Sequence, residues 1–223
     1  MADGLRPAHL LTGIVAASAV VLQFVLVWQG HAVLDAQNPP TLATRVERFF
    51  CYFTVLSNIL VAAVSIRDAT GTSASSRLWR VLRLNAVVGI CVTAVVHWFA
   101  LRPLLDLHGA DLLADKLLHV VVPVLAVFTW VVAGPRGQVL SSELVLSSLF
   151  PALYMLWTLV HGAWRHWYPY PFADVRLHGY AVVLLNSLAV VALMVVLSFA
   201  ALLLDRRLSQ TTANPPTLGH EGP

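Results

Sequence analysis

The stretch RFFCYFTVLSNILVAAVSIR, residues 48–67, is apolar enough to cross a bilayer yet carries Cys51, Thr54, Ser57 and Asn58 along its course. Lipid offers hydroxyl and amide groups no partners, so these side chains predict a helix facing a protein interior. Thr54 and Asn58 stand four residues apart, on one helical face. A threonine hydroxyl becomes a nucleophile when a base removes its proton, and histidine is the usual base because its unperturbed pKa lies near neutrality. His119 is the candidate base. Pro123 follows it by four residues, and a proline ring clashes with the carbonyl at i−4, which here belongs to His119 itself. A kink at the histidine, with its carbonyl freed, is therefore expected. Asp115, one turn earlier on the same face, would orient the imidazole as the third member of a triad does. The simpler alternative is a first-turn carboxylate favoured by the helix dipole.

Other side chains extend this set. His97 and His161 are intramembrane ionisable groups in their own spans, costly enough to be functional candidates. Hydrogen bonding to a neighbouring helix is the structural alternative for each. Cys51 is intrinsically the better nucleophile than Thr54, but a small buried thiol is ordinary core material, and with Cys91 it implies no disulfide framework. Asn58, Tyr154 and Asn186 are candidate donors to an oxyanion or substrate, with interhelical bonding as the alternative. The segment WRHWYPYPFADVRLHG sets Arg165 and Tyr170 among aromatics at a span end, as in an interfacial belt. Such a rim would also admit an amphipathic acyl substrate and hold its carboxylate with an arginine. His-x-x-x-His on one helix, glycine-rich phosphate loops and Gly-x-Ser-x-Gly are all absent, so zinc-protease, nucleotide and soluble-hydrolase chemistries lack their sequence signatures.

The elements that must hold these residues are read from composition. The chain of 223 residues is 58% hydrophobic and 11% charged, with a mean hydropathy of +0.77. Soluble domains carry roughly 25% charged residues, so an integral membrane protein is expected. Its net charge of +3 resides in connecting segments and speaks to orientation and anionic headgroups more than to nucleic acid. Apolar segments at about 8–29, 47–66, 78–101, 116–133, 144–164 and 177–204 predict an all-α bundle of six transmembrane helices in one domain over 1–208. The first apolar run is too long for a signal-peptide core and reads as a retained helix. Residues 30–46 and 69–76 read as loops, and 209–223 as a disordered tail. No three-plus-three internal repeat is visible, which weakens a transporter reading.

Eight basic residues on one side against six on the other favour both termini inside. Alternation of direction then puts the start of the second span, the end of the third, the start of the fourth and the end of the fifth on the opposite face. Thr54 would lie about 10 Å in at 1.5 Å per residue. His97, His119 and His161 fall within about two turns of the same boundary, so four capable side chains from four helices are expected in one layer.

Short motifs carry a family likeness: Phe-Thr-x-x-x-Asn within RFFCYFTVLSNIL, LLHVVVPVLAVF around His119, and LYMLWTLVHGAW with WYPYPF. They resemble the androgen-induced membrane protein family, in the same order across spans two to five, and are most similar to its bacterial six-span branch. The resemblance implies an intramembrane threonine hydrolase of fatty acid esters of hydroxy fatty acids. It also implies Thr54 as nucleophile, His119 as catalytic histidine, and a multi-pass protein of a bacterial plasma membrane. A lipid or fatty acyl ester is then the expected partner, with no cofactor and no nucleic acid. Two other readings follow from the residues: a haem or metal carrier using His97 or His161 as an axial ligand, and a transport or structural protein without chemistry.

Overall fold

The structure is a computed structural model that describes residues 5–31, 40–71 and 76–213. Helix α1 (Arg6–Gln29) carries a proline in its first turn, where the missing N–H costs nothing, and stops at Gly30, whose φ of 100° closes a left-handed cap. Thr41 caps α2 (Leu42–Phe50) through Thr44 N–H at 3.4 Å. The chain then breaks at Cys51 and Tyr52 and resumes as α3 (Phe53–Ala69), bent by 65° from α2. Helix α4 (Arg77–Val96) continues through a π-turn over His97–Leu101 into one 3₁₀ turn. Helix α5 (Gly109–Lys116) likewise passes through a π-turn, Leu117–Val121, into α6 (Val122–Ala133). Helices α7 (Ser141–Ser147) and α8 (Leu149–Arg165) form the next crossing, and α9 (Val175–Ala213) the last, interrupted at Gly179 with φ of 72°.

All described elements are helical, and five of the resulting rods are long and apolar enough to cross a membrane, or six when the bent α2–α3 pair counts as one. Several expected boundaries move. The second span is not one helix over 47–66 but a broken pair, and its first half reaches back to Leu42, inside the expected 30–46 loop. The fourth starts at Gly109 rather than near 116, because the polar turn carrying Asp111 and Asp115 is helical too. Helix α9 runs to Ala213, so 209–213 of the expected disordered tail are helix. The remainder of that tail, and residues 32–39 and 72–75 of the expected loops, lie outside the described residues.

Helix α4 is the axis of the bundle: 61% of its most apolar window is buried, against 22 to 28% for the other four long rods. Helix α1 packs close on α3 through small residues. A Cβ added to Gly13 would come within 2.6 Å of the Ile66 side chain and 3.1 Å of its backbone nitrogen, so glycine lets the two helices approach closely. Outward faces are large and apolar, as at Leu153, Trp157, Leu188 and Phe199.

Charge at the end of the bundle holding the start of α1 is paired off structurally. Arg83 forks onto buried Asp68 at 2.6 to 3.1 Å, with Trp79 Nε1 adding a third donor. Arg80 meets buried Glu143 at 2.5 Å. Asp205 accepts the Gly137 and Val139 N–H groups, and Thr12 bonds Thr129 at 2.8 Å. These contacts fasten that end of the bundle.

Candidate active site

Thr54 is the second residue of α3, so it sits on the first turn created by the break rather than in mid-helix. The first four N–H groups of a helix have no internal partner. Here two tyrosines supply acceptors: the Phe53 N–H donates to Tyr154 Oη at 3.2 Å and the Thr54 N–H to Tyr170 Oη at 3.3 Å. Tyr154 also donates to the Cys51 carbonyl at 2.9 Å, holding both sides of the bend. Burial pushes the Tyr170 hydroxyl upward, so it stays protonated and able to donate at neutral pH. The break therefore puts the threonine at the positive end of a helix dipole.

The imidazoles come from the two π-turns. Each π-turn is followed two residues later by a proline, Pro103 after His97–Leu101 and Pro123 after Leu117–Val121. The expected clash of Pro123 with the His119 carbonyl is relieved by this wider turn, in which Val122 N–H bonds back to the Leu117 carbonyl. His119 Nε2 lies 3.4 Å from Thr54 Oγ1. Its Nδ1 lies 3.1 Å from Asp115 Oδ1 and 3.0 Å from the Asp115 carbonyl, so Nδ1 carries the proton and Nε2 is left as acceptor. His97 Nε2 reaches the same carboxylate oxygen at 3.3 Å, and the two imidazoles stack with centroids 3.7 Å apart and planes 12° off parallel. His97 and Asp115 are 3% and 5% exposed. Asp115 Oδ1 thus faces both imidazoles, while the buried Oδ2 has no hydrogen-bond partner among the described residues.

These groups line the inner wall of a cavity of about 590 Å³, whose outer part is formed by Arg45, Arg48, Trp167, Tyr168, Asp174 and Arg176. Arg48 lies over the Trp167 ring at 4.6 Å. Arg45 donates to three carbonyls, of Val27, Trp28 and Pro40, and ties α2 to the end of α1. Arg176 forks onto Asp174, at 3.0 Å from Nε and 2.6 Å from Nη2, and so holds that carboxyl below the usual carboxylate range.

The structure thus brings Thr54, His97, Asp115, His119 and Tyr170 together and sends the other expected residues elsewhere. His161 does not join the site. Its Nε2 bonds Glu47 at 2.9 Å, with Cys51 Sγ at 3.9 Å, because the bend at residues 51–52 turns α2 towards α8. Arg165 pairs with the same Glu47 at 2.5 Å and lies off the cavity wall. Asn58 gives its amide hydrogens to the Thr54 and Leu118 carbonyls, at 2.8 and 3.4 Å, and so is a strut between α3 and the π-turn instead of an oxyanion donor. Tyr154 serves the backbone bend, and Asn186 donates to the Phe172 carbonyl at 2.9 Å, away from the threonine. Glu47, Arg45 and the capping role of Tyr170 were not legible beforehand, since the bend that gives them partners carries neither proline nor glycine.

Ligand-capable atoms of His97, Asp115 and His119 all lie within 4.8 Å of one another, as a metal site would require. Their orientation argues otherwise. Imidazole lone pairs lie in the ring plane, and an ion between two parallel stacked rings lies out of both planes, so coordination requires one ring to turn. As built, the arrangement suits two N–H donors on one carboxylate. Compared with protein-family models, curated proteins and solved structures, the chain matches none of them.

Proposed function

We propose that this chain is a six-span membrane hydrolase of lipid esters, with Thr54 as nucleophile, His119 as base and Asp115 as the group that fixes the base. The observation that carries the reading is the alignment of Thr54 Oγ1, His119 and Asp115: the hydroxyl lies 3.4 Å from Nε2, and Nδ1 bonds the Asp115 carbonyl at 3.0 Å with the carboxylate at 3.1 Å. Its order, hydroxyl then imidazole then carboxylate, is the one that activates a hydroxyl. The likeness of the Thr54 and His119 segments to the androgen-induced membrane protein family supports the same assignment. Both termini lie on the cytoplasmic side in this reading, and the cavity opens on the other.

In the reaction, His119 Nε2 takes the proton of Thr54 Oγ1 as that oxygen bonds to the ester carbonyl carbon. The tetrahedral oxyanion forms at the N-terminus of α3, within range of the Tyr170 hydroxyl. Its collapse breaks the carbon–oxygen bond of the alcohol, which leaves with the proton held by His119. Water then gives a proton to His119 and its oxygen to the acyl-threonine, and the acid departs as Thr54 recovers its hydrogen.

The test is hydrolysis of p-nitrophenyl esters by purified protein in detergent. Thr54→Ala removes turnover, and His119→Ala lowers it by about 10²–10⁴-fold, the usual contribution of general base catalysis. Full activity in either variant would falsify the assignment. The metal reading, favoured by the proximity of His97, Asp115 and His119, predicts instead that chelators abolish turnover and added zinc restores it.

A further inference from the structure

Thr54, His97, Leu101 and Tyr170 line two cavities, not one: the large one towards the aqueous edge and a narrower one of about 50 Å³ on their far side. The second runs between α4, α8 and α9 and its walls are apolar, with Val92 and Val96 on one side and Met155, Val191 and Met194 on the other. Met194 is 6% exposed and forms its interior, whereas Val191 is 39% exposed and stands at its opening. That opening faces sideways. Val191 lies twelve residues into α9 beyond Gly179, about 18 Å down the helix at 1.5 Å per residue, near the middle of a hydrocarbon layer about 30 Å thick. Thr54, in the first turn of α3, lies towards the end of the bundle opposite the start of α1.

From this placement we infer that the narrow cleft, roomy enough for a few methylenes, receives the first part of the acyl chain of the substrate, which reaches Thr54 sideways from the bilayer through the seam between α8 and α9. The inference rests on the hydrolase reading and adds the direction in which the ester lies. An ester lipid in a leaflet keeps its carbonyl near the interface and its tail towards the midplane, the same course the cleft takes from Thr54 down to Val191. The alcohol portion then lies in the 590 Å³ cavity, beside Arg48 and Trp167, and leaves to water while the acyl group stays on the threonine.

The experiment compares p-nitrophenyl acetate with p-nitrophenyl decanoate, using wild type and Val191→Trp. Because Val191 is partly exposed, an indole there closes the seam without displacing the core. The expected result is a fall of about tenfold or more in the decanoate-to-acetate ratio of kcat/KM, the scale on which apolar pockets discriminate chain atoms. An unchanged ratio in a monodisperse variant overturns the inference. A fatty acid carrying a mid-chain diazirine supplies a second readout in membranes: photolabel on α8 and α9 peptides, reduced in Val191→Trp, supports the cleft, and labelling confined to other helices overturns it. If neither ester is hydrolysed while the seam is labelled, the hydrolase reading fails and the acyl site stands.

Discussion

At the scale of single residues, the account turns on what Asp115 does to two histidines. One carboxylate oxygen takes an N–H from His119 at 3.1 Å and from His97 at 3.3 Å, which leaves His119 Nε2 as the acceptor facing Thr54. Asp115→Asn keeps the shape, and the Asp115 carbonyl still accepts from Nδ1 at 3.0 Å, but the negative charge that stabilises the imidazolium formed as Thr54 gives up its proton is lost. We expect kcat for ester hydrolysis to fall by about 10²-fold or more, with the melting temperature changed far less than the rate. Thr54→Ser retains a hydroxyl in the same place and should keep measurable turnover, whereas Cys51→Ala should change little, its thiol being turned towards His161 at 3.9 Å. Asp174 provides a titration outside the helical spans. Arg176 lowers its pKa in the folded protein, so the stability it adds is complete above the unfolded value of about 3.9 and is lost as pH falls through the lower folded value. Thermal unfolding of Asp174→Asn against wild type should show a smaller loss of stability on acidification below about pH 4.

Among the elements, the broken second span and the two π-turns do the positioning. The sequence announced one of these plainly: Pro123 four residues after His119 required a distortion at that carbonyl, and the π-turn supplies it. Pro103 bears the same relation to the His97–Leu101 turn. The bend at Cys51 and Tyr52 had no comparable signal, because it is made by partners distant in sequence, the hydroxyls of Tyr154 and Tyr170. For the same reason, His161 shared the expected depth yet not the site: depth is set along one helix, while lateral position depends on how helices pack. Two predictions belong here. Pro123→Ala restores a backbone donor and favours a regular helix, which rotates His119 away from Thr54, so activity should drop while helical content by circular dichroism is unchanged or higher. Tyr170→Phe leaves the Thr54 N–H without its acceptor and should cost about 1 kcal/mol of stability by denaturant titration, together with a loss of rate from the missing oxyanion donor.

Across the whole molecule, the two ends of the bundle divide the labour. One end is fastened by the Asp68–Arg83 and Arg80–Glu143 pairs, and the other carries a cavity of about 590 Å³ above Thr54 and His119. Composition and periodicity were sufficient for the all-helical class and for the approximate positions of the long apolar rods. They were insufficient for their ends, since a polar segment such as Gly109–Lys116 remains helical when partners distant in sequence hold it, as His31 holds Asp111 at 2.8 Å. Removing one partner of the fastening pairs should be felt globally: Asp68→Asn leaves the buried Arg83 guanidinium without its counter-charge and should cost about 3–5 kcal/mol, read as a lower melting temperature in detergent with kcat per folded molecule retained. The central claim concerns one oxygen atom. It is tested most directly by treating the purified protein with a fluorophosphonate and locating the adduct by peptide mass spectrometry. The account predicts covalent modification on Thr54, abolished in Thr54→Ala and strongly slowed in His119→Ala; an adduct on Cys51 or on another hydroxyl, or labelling that survives both substitutions, would contradict it.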